Sequence, residues 1–176
     1  MVRMTPRQAV AVVPSVPRWA VRAAHLCALV ALPTGVWRLL LATGHSAGYT
    51  AEGYAAMDFT GGGTVYLIGL SVVSEVVALL ALGLVRPWGE VLPRWVPVLG
   101  GRTLPRLAVV VPAGLGALAL TVLWTPLLAW WSLPHDDLTA GGRLVVGLLY
   151  LPLIAWGPLL AAVTVSYNRR RRAAGR

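Results

Sequence analysis

Four long apolar stretches, at residues 19–41, 64–85, 107–131 and 144–167, constrain the fold more than any other feature of the chain. A bilayer core about 30 Å thick is crossed by an α-helix of roughly 20 apolar residues. Only 12% of the residues are charged, which is low for a soluble domain. Because open strands leave backbone groups unpaired in lipid, we predict an all-α membrane protein whose four transmembrane helices occupy residues 19–167.

The distribution of arginine predicts how these helices are oriented. The chain has no lysine, and all but two of its 15 basic residues lie before or early in the first helix, in the loop 86–106, or in the tail 168–176. Cytoplasmic loops are enriched in Lys and Arg. We therefore expect a basic cytoplasmic arm at 1–18, an arginine-rich cytoplasmic tail at 168–176 and both termini in the cytoplasm. The net charge of +9 then indicates lipid headgroups rather than nucleic acid as the partner.

Glu75 is the residue within the apolar stretches that most strongly suggests a function. It lies 11 residues into the second predicted helix, about 16 Å deep at the helical rise. A carboxylate at that depth costs several kcal/mol unless it is neutral, paired or in a polar cavity. Ser71, one turn earlier, shares its face. The functional interpretation is a proton carrier, a general acid or a ligand anchor, and the alternative is a protonated residue that joins two helices.

Two other side chains are predicted to approach Glu75. His25 lies at a similar depth on the first helix, and Trp156 lies level with Glu75 on the fourth, where its indole N–H needs an acceptor. We therefore predict that Glu75, Ser71, His25 and Trp156 bind a lipid or a small apolar ligand inside the bundle. The alternative for His25 is an ordinary packing residue. Prolines would kink the third and fourth helices and widen this cavity, namely Pro112, Pro126, Pro152 and Pro158.

Arg38 is the arginine closest to the outer end of the first helix. We expect its long side chain to extend to the membrane surface. The alternative is a pair with Glu52 or Asp58 in the loop that follows.

The loop between the second and third helices combines arginine with tryptophan. Arginine forks suit phosphate oxygens, and tryptophan favours the membrane interface. We therefore predict lipid headgroup contacts for Arg86, Arg94 and Arg102, and the alternative is a loop that only anchors the chain at the surface. Because no metal-ligand or cofactor motif is present, we predict neither a metal nor a cofactor. We also see no internal sequence repeat.

The loop sequence RPWGEVLPRWVPVLGG and its flanking helices resemble small four-helix membrane proteins of actinobacteria. The resemblance implies a bacterial plasma membrane protein and supplies no activity. Three functions stay open: a binder or lipid-modifying enzyme that uses Glu75 as an acid, a proton-coupled small transporter, and a non-catalytic partner subunit. The expected partners are membrane lipid, a second copy of the chain, or another membrane protein. No reaction motif decides whether the chain is an enzyme.

Overall fold

The computed structural model describes residues 15–59, 61–91 and 101–174. These residues form six α-helices and three short 3-10 helices, with two isolated β-bridges and no strand. The α-helices are α1 (Arg18–Ala42), α2 (Ala51–Ala56), α3 (Gly62–Gly83), α4 (Arg106–Trp124), α5 (Ala140–Tyr150) and α6 (Trp156–Ala174), and the 3-10 helices are Pro87–Gly89, Thr125–Ser132 and Leu151–Ala155.

Four helical spans are long and apolar enough to cross a membrane: Arg18–Ala42, Gly62–Gly83, Arg106–Ser132 and Ala140–Ala174. This confirms the prediction of an all-α membrane protein with four transmembrane helices. The first two spans are the continuous helices α1 and α3. The third and fourth change from α-helix to 3-10 helix next to Pro126 and Pro152, because proline lacks the N–H that an α-helical turn requires.

The fourth span is longer than the predicted 144–167. It begins at Ala140, where the Thr139 hydroxyl caps α5 by accepting from the Gly142 N–H, and it ends at Ala174. The arginines 169–172 of the predicted tail therefore lie in the last turns of α6. Residues 1–14 of the predicted N-terminal arm lie outside the described residues, and α1 begins at Arg18.

The spans are arranged in the order α3, α1, α6, α4. Helix α1 packs against α3 and α6, and α6 packs against α4, whereas α3 has no extensive contact with α4 or α6. Small buried residues on α1, such as Ala24, Cys27 and Ala31, allow neighbouring helices to approach closely. The missing α3–α4 contact leaves a gap on one side of the bundle.

The two ends of the bundle differ in charge. We call the end that carries Arg18, Arg86, Arg106 and Arg169 the arginine-rich end. The opposite end is the arginine-poor cap, which consists of residues 43–59 and 132–139. An aromatic cluster under the cap joins Trp37, Tyr49, Tyr54, Phe59 and Tyr150. Burial, reinforced by the nearby Asp137 carboxylate, raises the pKa of Tyr49 to about 12, as expected for a phenol in a dry cluster.

Two similar capping turns hold the arginine-poor cap together. Thr50 caps α2 by accepting from Gly53 N–H, just as Thr139 caps α5. The bonds between the turns are reciprocal, because Thr50 N–H donates to the Asp137 carbonyl and Thr139 N–H donates to the Gly48 carbonyl. Each threonine hydroxyl donates to the same carbonyl as its own N–H. The sequence analysis missed this local repeat, which fixes both inter-helix loops to each other.

Candidate functional site

The candidate site lies where α1 crosses α3, in the interior of the bundle. Arg38 on α1 is only 4% exposed, and its Nε donates to the Ser71 hydroxyl on α3 at 3.0 Å. The Ser71 hydroxyl donates in turn to the carbonyl of Leu67 one turn earlier. Glu75 lies one turn beyond Ser71 on the same face of α3.

Glycine at position 35 makes room for the Glu75 carboxyl. A Cβ built at Gly35 would lie 3.1 Å from Glu75 Oε1, so a larger side chain there would press on the carboxylate. Gly35 and Arg38 are three residues apart and share one face of α1. Each side chain therefore contacts the opposite helix, Arg38 through Ser71 and Glu75 beside Gly35.

Two polar atoms of this site have no hydrogen-bond partner among the described residues. They are Arg38 Nη2 and Glu75 Oε1, and both are buried. Arg38 and Glu75 do not form a salt bridge, because no nitrogen of Arg38 lies within 4.0 Å of an oxygen of Glu75. The two ion pairs found in the described part of the chain both involve Glu90. The site thus contains one unsatisfied donor and one unsatisfied acceptor. A water molecule or a hydroxyl, which can both accept and donate, has the polarity to pair with either.

The expectation that Arg38 extends to the surface is wrong. Side chains on an α-helix tilt toward its N-terminus. Because Arg38 lies near the C-terminal end of α1, this tilt carries its guanidinium into the bundle. The hydroxyl of Tyr150 lies near the Arg38 guanidinium. The alternative prediction, an ion pair of Arg38 with Glu52 or Asp58, is not among the ion pairs of the described residues. Sequence reasoning missed Arg38 as a partner of Ser71, because the tilt of its side chain gives its depth but not the helix that it faces.

The four predicted ligand-binding residues do not gather in one cavity. Ser71 and Glu75 lie together, but His25 is ten residues before Gly35, about 15 Å away along α1. His25 Nδ1 instead bonds the Val21 carbonyl of its own helix at 2.7 Å. Trp156 is buried in the core cluster shared by α1, α3, α4 and α6, and its indole N–H has no partner among the described residues. The predicted hydrogen bond from Trp156 to Glu75 is therefore not formed.

An apolar groove of about 440 Å³ fills the gap between α3 and α4. Its floor on α4 consists of small residues, Ala108, Ala113 and Gly116, and Leu160 of α6 lines it from behind. From Ala108 to Gly116 the floor is about 12 Å long, close to the hydrocarbon thickness of one leaflet. Glu75 does not line this groove.

Trp88 closes the groove at the arginine-rich end. Its indole rests on Gly83, where a Cβ would lie 2.5 Å from the ring. The ring is 38% exposed and lines the groove on its other side. This position suits an indole at the membrane interface.

The arginines of α6 hold the loop that follows α3. Arg170, only 8% exposed, donates to the Leu84 carbonyl at 2.7 Å and lies 3.6 Å from Glu90 Oε1. Arg171 donates to the Leu104 carbonyl and lies 3.9 Å from the other Glu90 oxygen. The Tyr167 hydroxyl donates to the Gly89 carbonyl. We call this set of contacts the arginine clamp.

The predicted headgroup contacts are only partly within the described residues. Arg86 and Arg102 are both exposed at the arginine-rich end, and Arg94 lies outside the described residues. Within the described ranges, no three of the His, Cys, Asp and Glu side chains lie close enough to hold a metal ion.

These features define an integral membrane protein with four spans, one polar site inside the bundle and one apolar groove. No protein-family model, curated protein or solved structure matches the chain. The resemblance of residues 86–101 to actinobacterial membrane proteins therefore stays a prediction, and residues 92–100 of that segment lie outside the described residues.

Proposed function

We propose that the protein binds the hydrocarbon part of a lipid or lipid-like molecule in the groove between α3 and α4. The observation that carries the proposal is the groove itself, about 440 Å³ in volume and lined almost entirely by apolar side chains. Ligand pockets of this size are typical of small-molecule sites. The proposal keeps the predicted class of ligand but moves it away from Glu75.

The groove can be filled selectively, because α4 carries two glycines with different surroundings. A Cβ at Gly116 would point toward Leu160 at 4.0 Å, and Gly116 lines the groove, whereas a Cβ at Gly114 meets nothing within 4 Å. A leucine at position 116 therefore occupies the groove, and a leucine at position 114 does not.

Native mass spectrometry of the gently solubilised protein tests the proposal. We expect wild type and the Gly114→Leu control to retain lipid or another apolar molecule, and Gly116→Leu to lose it. Equal retention by both leucine variants would show that the groove is not the binding site.

A proton-linked function is a second candidate, favoured by the unpartnered Arg38 and Glu75 atoms inside the bundle. Intramembrane acidic groups opposite an arginine are recurrent parts of proton pathways. Reconstituted in vesicles under a pH gradient, the wild-type protein should carry protons or a proton-coupled solute, and Glu75→Gln should not. Glu52→Gln is the matched control, because Glu52 is exposed in the arginine-poor cap. A Glu75→Gln variant with wild-type flux would eliminate this candidate.

The orientation belongs to the same proposal: the arginine-rich end faces the cytoplasm of a bacterial cell and the arginine-poor cap faces outward. The excess of arginine at one end supports it. In a Cys27→Ala background, which removes the single native cysteine, a cysteine placed at Ser46 should react with an impermeant reagent added to intact cells. A cysteine placed at Arg172 should react only after lysis. The reverse pattern would invert the topology.

A further inference from the structure

Two grooves meet at Trp88. Beside the α3–α4 groove, a second groove of about 510 Å³ follows the outer face of α3. Leu80 and Trp88 line both grooves. These two side chains therefore form a ridge with one groove on each side, and both grooves lie toward the arginine-rich end.

Arg86 is the one charged residue among those that line either groove. Its guanidinium is exposed and makes no hydrogen bond or ion pair with the described residues, in contrast to Arg170 and Arg171 of the arginine clamp. Because Arg86 follows the end of α3 by three residues, it lies at the level where lipid phosphates are found. Its planar fork is suited to phosphate oxygens.

We infer that the two grooves hold a single anionic diacyl glycerophospholipid that straddles the Leu80–Trp88 ridge, with one acyl chain in each groove and its phosphate on Arg86. This inference rests on the proposed function, since one of its two chains occupies the α3–α4 groove. The two acyl chains of a diacyl lipid diverge from one glycerol, and they would fit two grooves that lie on either side of one ridge. An anionic headgroup is favoured over a zwitterionic one because the ammonium of the latter would lie among arginines.

The test compares lipids that differ only in the headgroup. The detergent-solubilised protein is titrated with phosphatidylglycerol or phosphatidylcholine of identical chains, and native mass spectrometry gives the apparent dissociation constant of the first bound lipid. We expect phosphatidylglycerol to bind about fivefold more tightly, the factor that corresponds to roughly one favourable arginine. Arg86→Gln should abolish this preference. Arg102→Gln is the matched control, because Arg102 is exposed at the same end but lines neither groove.

The number of chains is tested separately with lysophosphatidylglycerol. Loss of one chain should weaken binding at least about tenfold, because the apolar contacts of one groove are lost. Trp88→Ala removes the ridge and should weaken both two-chain lipids without changing the preference between them. Equal binding of the one-chain and two-chain lipids would overturn the two-groove arrangement.

The outcomes separate this inference from the function on which it rests. If Gly116→Leu abolishes lipid binding while Arg86→Gln leaves the headgroup preference unchanged, the groove binds lipid but the headgroup assignment is wrong. If Gly116→Leu leaves lipid binding intact, the proposed function fails, and any remaining effect of Arg86 would reflect a surface contact alone.

Discussion

Two buried arginines in this protein differ in how far their charge is compensated, although each has one buried nitrogen without a partner among the described residues, Nε of Arg170 and Nη2 of Arg38. Arg170 in the arginine clamp is 8% exposed and bonds the Leu84 carbonyl, approaches Glu90 and lies over the Tyr167 ring. Arg38 is even more buried, at 4% exposed; its Nε donates to the Ser71 hydroxyl, and the Tyr150 hydroxyl lies nearby. Both arginines have a glutamate nearby, yet only Arg170 is within 4.0 Å of its glutamate.

The difference lies in how completely each buried charge is compensated. A buried charge costs free energy unless hydrogen bonds and an opposite charge compensate it. At the arginine clamp this compensation is extensive, so Arg170 fixes α6 to the loop after α3. At the α1–α3 site no carboxylate lies within 4.0 Å of the Arg38 guanidinium among the described residues, so its charge is compensated less than that of Arg170.

The largest expected effect is on the arginine clamp. Arg170→Met should lower the free energy of unfolding by about 3 kcal/mol, because it leaves the Leu84 carbonyl without its partner and leaves Glu90 with only the longer contact to Arg171. Unfolding in mixed micelles, followed by circular dichroism, measures the change. Arg169→Met is the control, since Arg169 is the exposed neighbour in α6, and it should be close to neutral. Equal losses in both variants would mean that the clamp contributes nothing specific.

A smaller loss is expected at the α1–α3 site. Arg38→Met should lower the free energy of unfolding by about 2 kcal/mol, the range for a hydrogen bond to a charged group. The double variant Arg38→Met with Glu75→Gln should recover to within about 1 kcal/mol of wild type, because the carboxyl that has lost the nearby arginine is then replaced by a neutral amide. The same circular dichroism measurement applies to both.

The matching double variant at the clamp sharpens the contrast. Arg170→Met with Glu90→Gln should not recover, because Arg170 also bonds a backbone carbonyl that neither replacement satisfies. If both double variants recover, or neither does, the two arginines are equivalent and the functional interpretation of Arg38 loses its support.

Much of the architecture could be predicted because it depends on local sequence. The length and composition of each apolar stretch are sufficient to predict a transmembrane helix. The boundaries were less accurate, since the start of α5 depends on the Thr139 cap and the end of α6 depends on contacts of Arg170 with a distant loop. The paired turns at Thr50 and Thr139 are each followed by Ala-x-Gly, a signal that was present in the sequence.

The candidate site was harder to predict, because it depends on which helices are neighbours. Glu75 and Ser71 were found from their depth and their spacing on one helix. Their partner Arg38 was missed because hydropathy gives the depth of a residue but not the helix it faces. The expected partners His25 and Trp156 have similar predicted depths. However, His25 lies more than two turns of α1 away from Gly35, and the indole N–H of Trp156, in the core cluster, does not bond Glu75.

The smallest expected effect concerns the glycine beneath Glu75. Gly→Ala in a helix interior normally stabilises by up to about 1 kcal/mol, and Gly69→Ala on α3 should show this gain, because a Cβ there meets nothing within 4 Å. Gly35→Ala should gain nothing or lose slightly, because its Cβ would lie 3.1 Å from Glu75 Oε1 and the carboxyl would have to move. The free energy of unfolding of each variant, compared with that of the wild type, measures the contrast. Because the strain falls on the carboxyl, Gly35→Ala should increase the stability once Glu75→Ala has removed that carboxyl. If Gly35→Ala already increases the stability with Glu75 intact, the carboxyl is not held beside Gly35.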